Sequence, residues 1–133
     1  MKRWILIALL LWLNLSMVEL KFLPPLKGEA CSVFVHLPTS SKKIPSGFVL
    51  YPIVFFFEVE IDPKVRAHEN VHCLQVREIG WLKFYSSYLS YYIKNRMKGM
   101  SHEQAYASIP YETLAYIAAG QEDYLDYLMK EKE

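Results

Sequence analysis

Apolar and polar positions change their rhythm along this chain. Residues 4–13 form an unbroken apolar run that extends to Val18 with Asn14 and Ser16 inside it. After a break at Leu23-Pro24-Pro25-Leu26-Lys27-Gly28, which reads as a stiff extended linker, the stretch Cys31–His36 alternates weakly and favours a short strand. Residues 37–47 hold prolines, hydroxyl residues and lysines and read as a loop. Residues 48–61 are rich in aromatic and β-branched side chains and predict one or two strands. Pro52 marks a strand start, a bulge or an edge within them. Glu58-Val59-Glu60-Ile61 alternates as a strand with one wet face would.

From Asp62 the period becomes helical. Asp62 suits an N-cap and Pro63 the first helical position, so a helix is predicted from there to Ile79, with Gly80 as its stop. A second helix spans about Trp81–Lys98. Its Trp81, Phe84, Tyr85, Tyr88, Leu89, Tyr92 and Met97 are expected on one broad packing face. Ser101 and Gln104 make a capping-box pattern that starts a third helix. Pro110 ends that one and begins a fourth, which carries Glu112 and runs towards Lys130 with an interruption at Gly120. The pattern predicts an α+β fold, with a small sheet from residues 31–61 packed on three to four helices and preceded by the N-terminal apolar segment.

The length of 133 residues suits one core, and 53% hydrophobic against 22% charged residues suits a packed one. Net charge is +1. No basic stripe interleaves with aromatics, so nucleic acid is set aside as a partner. The ten tyrosines, most of them between Tyr85 and Tyr127, read first as helix-packing residues with polar tips and second as lining for a polar cleft. Cys31 and Cys73 are too few for a disulfide framework. In an exported protein they would have the option of one bridge, and Cys73 otherwise reads as a buried structural cysteine.

Lys2 and Arg3 ahead of the apolar run form the layout of a secretory signal. No clear small-residue cleavage site follows. Residues 1–22 are therefore expected to be a signal peptide or an uncleaved signal-anchor, with residues 23–133 the folded domain. The alternative is an apolar first helix packed inside a cytosolic domain. The expected location is exported or membrane-anchored, on the outer side, with residues 4–18 as the membrane contact.

Residues 68–72 read His-Glu-Asn-Val-His. Positions i and i+4 share one helix face, so the two imidazoles can bind one metal ion. Glu69 between them can reach a water on that ion and act as general base without being a ligand. Chance would produce this pattern roughly 0.01 times in a chain of this composition. A catalytic zinc site needs a third protein ligand and a position left open. Glu78, His102, Glu103, Glu112 and Glu122 lie downstream. Glu112 leads, because a carboxylate among apolar neighbours in Ile109–Ala115 requires a partner. Gln75, two turns after His68, is a candidate for orienting a ligand or touching substrate. Arg66 and Arg77 read as surface or salt-bridge residues.

The stretch Ala67–Gln75, then Gly80–Tyr85 with Tyr88, then Ala105-Tyr106 and Ile109–Ala115, resembles small bacterial zincin-like proteins of the gluzincin branch. Those carry a His-Glu-x-x-His-x-x-Gln helix and a later Pro-Phe/Tyr-Glu-x-x-Ala helix. The resemblance implies one zinc ion per chain held by His68, His72 and Glu112, Glu69 as catalytic base, and a peptide or protein substrate. It also implies an edge strand ahead of the motif helix, within residues 53–61, that pairs with extended peptide. Larger relatives add a second subdomain that supplies a transition-state donor, and here Tyr88, Tyr92 or Tyr106 would have to substitute. The reading that follows is a minimal zinc metallopeptidase. The rival is a non-catalytic zinc-binding or interaction module on a membrane anchor, its site closed by a fourth protein ligand such as His36 or His102. A weaker rival is a helical protein without metal.

Overall fold

A computed structural model describes residues 19–40 and 45–130. The apolar run at 4–18, with the signal or anchor reading placed on it, lies outside the described residues. Among the described residues no helix is long and apolar enough to cross a membrane.

The fold is α+β. Four strands, β1 (Lys21–Leu23), β2 (Val33–His36), β3 (Gly47–Leu50) and β4 (Ile53–Phe56), form one sheet in the order β1-β2-β4-β3. β1 and β3 run antiparallel to their neighbours, and β2 runs parallel to β4. Five helices follow: α1 (Pro63–Ile79), α2 (Trp81–Met97), α3 (His102–Ala107), α4 (Pro110–Ala118) and α5 (Glu122–Lys130).

Several expectations need correction. Lys21–Leu23 is a strand that pairs with β2, where a linker was expected from Leu23. Glu58–Ile61 is not a strand. The hydrogen bond from the Asp62 amide to the Glu58 carboxylate, at 3.1 Å, belongs to the turn into α1. β4 is an interior strand, so the edge nearest α1 is β3, not residues 53–61. Pro52 follows Tyr51 through a cis bond in the tight link between β3 and β4.

Helix limits follow local chemistry. The Asp62 carboxylate accepts from the Lys64 amide at 2.8 Å. The Ser101 hydroxyl accepts from the Gln104 amide, and the Gln104 side chain accepts from the Ser101 amide. Gly80 ends α1 and opens α2 at φ 88°, a conformation that costs a residue with a Cβ and is free to glycine.

One face of the sheet packs on α1. Phe34, Val49, Val54 and Phe56 form a buried core there with Cys31 and Cys73, and Val65 of α1 packs against it. Cys31 and Cys73 are joined in a disulfide with Cα atoms 5.5 Å apart. It ties the approach to β2 to the middle of α1. On the same helix Arg66 makes a bidentate pair with Glu29, at 2.6 and 3.0 Å, and its guanidinium lies 4.9 Å from the Phe34 ring centre. The Leu26–Glu29 turn is thereby fastened to α1.

α2 departs from its expected packing. Only Phe84 and Asn95 are buried on it, while Trp81, Leu89 and Met97 face outward. Asn95 is a polar core residue that donates to the Ala105 carbonyl at 3.0 Å and so fastens α3. Tyr85 donates to the Val49 carbonyl and accepts from the Tyr51 amide, which holds α2 against the β3–β4 link.

The disulfide closes a loop with sequence separation 42, for which lost unfolded-chain entropy stabilises the fold by about 4 kcal/mol. The Cys31→Ser/Cys73→Ser double variant is expected to lose stability of that order in urea unfolding. An unchanged midpoint would show that packing of α1 on the sheet suffices alone.

Candidate metal centre

α1 presents His68 and His72 one turn apart, and both are buried. α4 brings Glu112 to them from the other side, with its carboxylate 1% exposed. His68 Nε2 lies 3.0 Å from Glu112 Oε2 and His72 Nε2 lies 3.1 Å from Glu112 Oε1. The two Nε2 atoms are 3.1 Å apart. Among the described residues these three make the cluster of donor atoms able to hold a metal, all within 4.8 Å of one another.

The donor set fits a tetrahedral zinc ion. Bonds of ~2.0–2.1 Å place neighbouring ligand atoms roughly 3.3 Å apart, close to the 3.1 Å between the two Nε2 atoms and to the 3.0 and 3.1 Å from each of them to its own Glu112 oxygen. The far sides of the imidazoles are prepared for that role. Gln75 Nε2 donates to the Tyr111 carbonyl at 3.1 Å, so its Oε1 faces His72 Nδ1 at 2.8 Å. His72 Nδ1 must then carry a hydrogen, so that on loss of its other proton Nε2 would be the metal-facing lone pair. His68 Nδ1 has the same arrangement with Gln121 Oε1 at 3.0 Å. The Tyr88 hydroxyl donates to Glu112 Oε1 at 2.7 Å, and the Tyr106 hydroxyl bonds that of Tyr88.

Electrostatics follow from burial. Burial opposes charge on His72, but the facing Glu112 carboxylate outweighs it and raises the His72 pKa to about 9. Burial likewise opposes ionisation of Glu112, yet the His72 charge and the bonds from both histidines hold it well below the usual carboxylate range. Burial, then the Glu112 charge, pushes the hydroxyls of Tyr88, Tyr106 and Tyr116 up, so they remain donors. Burial also pushes the Glu69 carboxyl up, against the pull of His72 and His68.

The Glu69 side chain lies against Gly47, the first residue of β3. A Cβ on Gly47 would sit 2.7 Å from Glu69 Oε1 and 2.8 Å from its Cγ. Only glycine lets strand and carboxylate approach this closely. Both line a cleft of about 1440 Å³ that also reaches His68, His72, Glu112 and Phe48.

Of the other candidates, Gln75, Tyr88 and Tyr106 lie at the triad. Tyr92 does not, since its hydroxyl meets His102 Nδ1 at 2.9 Å. His36 and His102, named as examples of a closing fourth ligand, do not close the site: His36 Nε2 donates to the Glu58 carbonyl at 2.7 Å, and neither residue joins the cluster. Sequence reasoning missed Tyr116, whose ring centre is 4.5 Å from that of His68. Its position four residues after Glu112 on one helix was an available signal. It also missed Gln121 and Gly47, which carry no local signal. Comparison with protein-family models, with curated proteins and with solved structures finds no match for this chain.

The two charges set a pH dependence for the metal-free protein. His72 has its pKa raised from 6.5 to about 9, so its stabilisation is complete below 6.5 and is lost as pH rises through 9. Glu112 is lowered from 4.5, so its stabilisation is present above 4.5 and is lost as pH falls further. Melting temperature of metal-stripped protein should therefore be highest between about 4.5 and 6.5 and decline towards 9. Zinc affinity should rise over that same decline, with proton release, because binding needs His72 Nε2 unprotonated. Thermal scans and zinc calorimetry across pH test both, and a flat profile would contradict the charged pair.

Proposed function

We propose that this chain is a minimal zinc-dependent peptidase of gluzincin type that works outside the cytoplasm. The observation that carries the reading is the convergence of His68, His72 and Glu112 at an open cleft, with Glu69 on the cleft wall beside them. A structural zinc site would be closed by a fourth side chain, and the cluster holds three.

His68, His72 and Glu112 would hold the ion. When bound, zinc would supply Lewis-acid polarisation and activation of water. Gln75 and Gln121 keep the imidazoles in the metal-facing tautomer. Tyr88 holds one Glu112 oxygen and limits its rotation. Glu69, whose pKa burial raises from its ordinary value, would take a proton from the attacking water and pass it to the leaving amine. Gly47–Leu50 pairs with β4 on one side, and its other edge borders the cleft, where an extended peptide can add as a strand. The Cys31–Cys73 disulfide and the basic-then-apolar N-terminus both support an oxidising, extracytoplasmic location.

The test joins metal content to hydrolysis. Wild-type protein should hold about one zinc per chain, and His72→Ala and Glu112→Ala should lose it. Glu69→Gln should keep the zinc and lower peptide hydrolysis about 10²–10⁴-fold. Full activity in that variant, or a wild type that binds no zinc, would end this reading.

Gly47→Ala provides a separate check on the base. The clash falls on the flexible end of Glu69 rather than on backbone, so fold and zinc content should survive. Hydrolysis should drop at least about tenfold, because a misplaced base loses much of its contribution. Unchanged hydrolysis would show that Glu69 acts without support from β3.

A further inference from the structure

We propose that the outward face of α2 is a docking surface for an anionic lipid bilayer. Leu82, Leu89, Ile93 and Met97 are 76%, 58%, 48% and 82% exposed. At 100° per residue they fall within an arc of roughly 80°. Trp81, half exposed and next to Leu82 in the chain, lies about 80° outside this arc with its ring packed on Tyr85 at 5.1 Å. The opposite face, with Phe84 and Asn95, is buried in the domain. A surface helix that turns these four large apolar side chains to water on one side has an unsatisfied face.

Charge identifies the occupant. Residues 81–98 contain Lys83, Lys94, Arg96 and Lys98 and no acidic residue. Lys83 and Lys94 lie beside the apolar arc on one side and Arg96 on the other, where their stems can lie along a bilayer and their charges reach the headgroups. A second copy of this helix would bring cations against cations, whereas anionic lipid adds about fivefold in partition for each cation. Leu89 also lines the cleft, so its mouth would open beside the membrane. Nothing here depends on hydrolytic activity.

The test reads the face directly. The chain has three tryptophans, so full-length Trp4→Phe/Trp12→Phe leaves Trp81 as sole reporter. Phosphatidylcholine vesicles with phosphatidylglycerol should blue-shift Trp81 emission, and brominated lipid should quench it. Vesicles of phosphatidylcholine alone should not, even where the apolar N-terminus tethers the chain to both. High salt, or Leu89→Glu/Ile93→Glu in the same background, should abolish the response. Lys83→Ser/Lys94→Ser should lower the ratio of inserted to free Trp81 about 30-fold. No response to anionic vesicles, or an equal response to both kinds, would overturn the proposal. So would a blue shift that grows with protein concentration without lipid, which would assign the face to self-association.

Discussion

A carboxylate buried in the protein has to be matched by charge and hydrogen bonds. Glu112 is that group here, and His68 and His72 match it. Leaving either side unmatched costs about 3–5 kcal/mol, a large part of the stability of a domain this size. This requirement brings α4 against α1 and sets the distance between them. Tyr88 of α2 occupies part of the remaining capacity of Glu112, and Gln121, just after α4, takes the outer nitrogen of His68. Three helices and the turn beyond the last of them are thus anchored on one polar centre.

The other side of α1 is held by different means. Phe34, Val49, Val54 and Phe56 bury apolar surface beneath it, and the Cys31–Cys73 disulfide and the Arg66–Glu29 pair add fixed points. α1 is therefore buried on two faces, one apolar towards the sheet and one polar towards the helices. That combination suits a site whose geometry must not drift. The polar face is too costly to expose to neighbouring apolar groups without its partners, and the apolar face holds the helix in register. β3 then meets Glu69 through Gly47, so sheet and polar centre join at the cleft.

α2 mediates between this interior and the outside. Its inner face supplies Phe84 and Tyr88 to the site, and Tyr85 reaches the β3–β4 link. Its outer face stays apolar and basic. An aromatic-rich helix that looks uniformly suited to packing thus has two unlike surfaces, and only the location of its neighbours distinguishes them.

Local chemistry in the chain determined where most helices begin and end. Asp62 with Pro63, Gly80, Ser101 with Gln104, and Pro110 each act on their own few residues, so their effect is readable in order along the sequence. The i, i+4 spacing of His68 and His72 is equally local, and the apolar setting of Glu112 showed that it needed a partner. What depends on groups distant in sequence was decided only by tertiary structure. The interior place of β4, the pairing of Lys21–Leu23 with β2, the joining of Cys31 to Cys73, the close approach of Gly47 to Glu69 and the reach of Gln121 to His68 are of this kind. So is the outward turn of Leu89 and Met97. Each follows from which surfaces the folded chain brings together, and no periodicity along a single element encodes that choice.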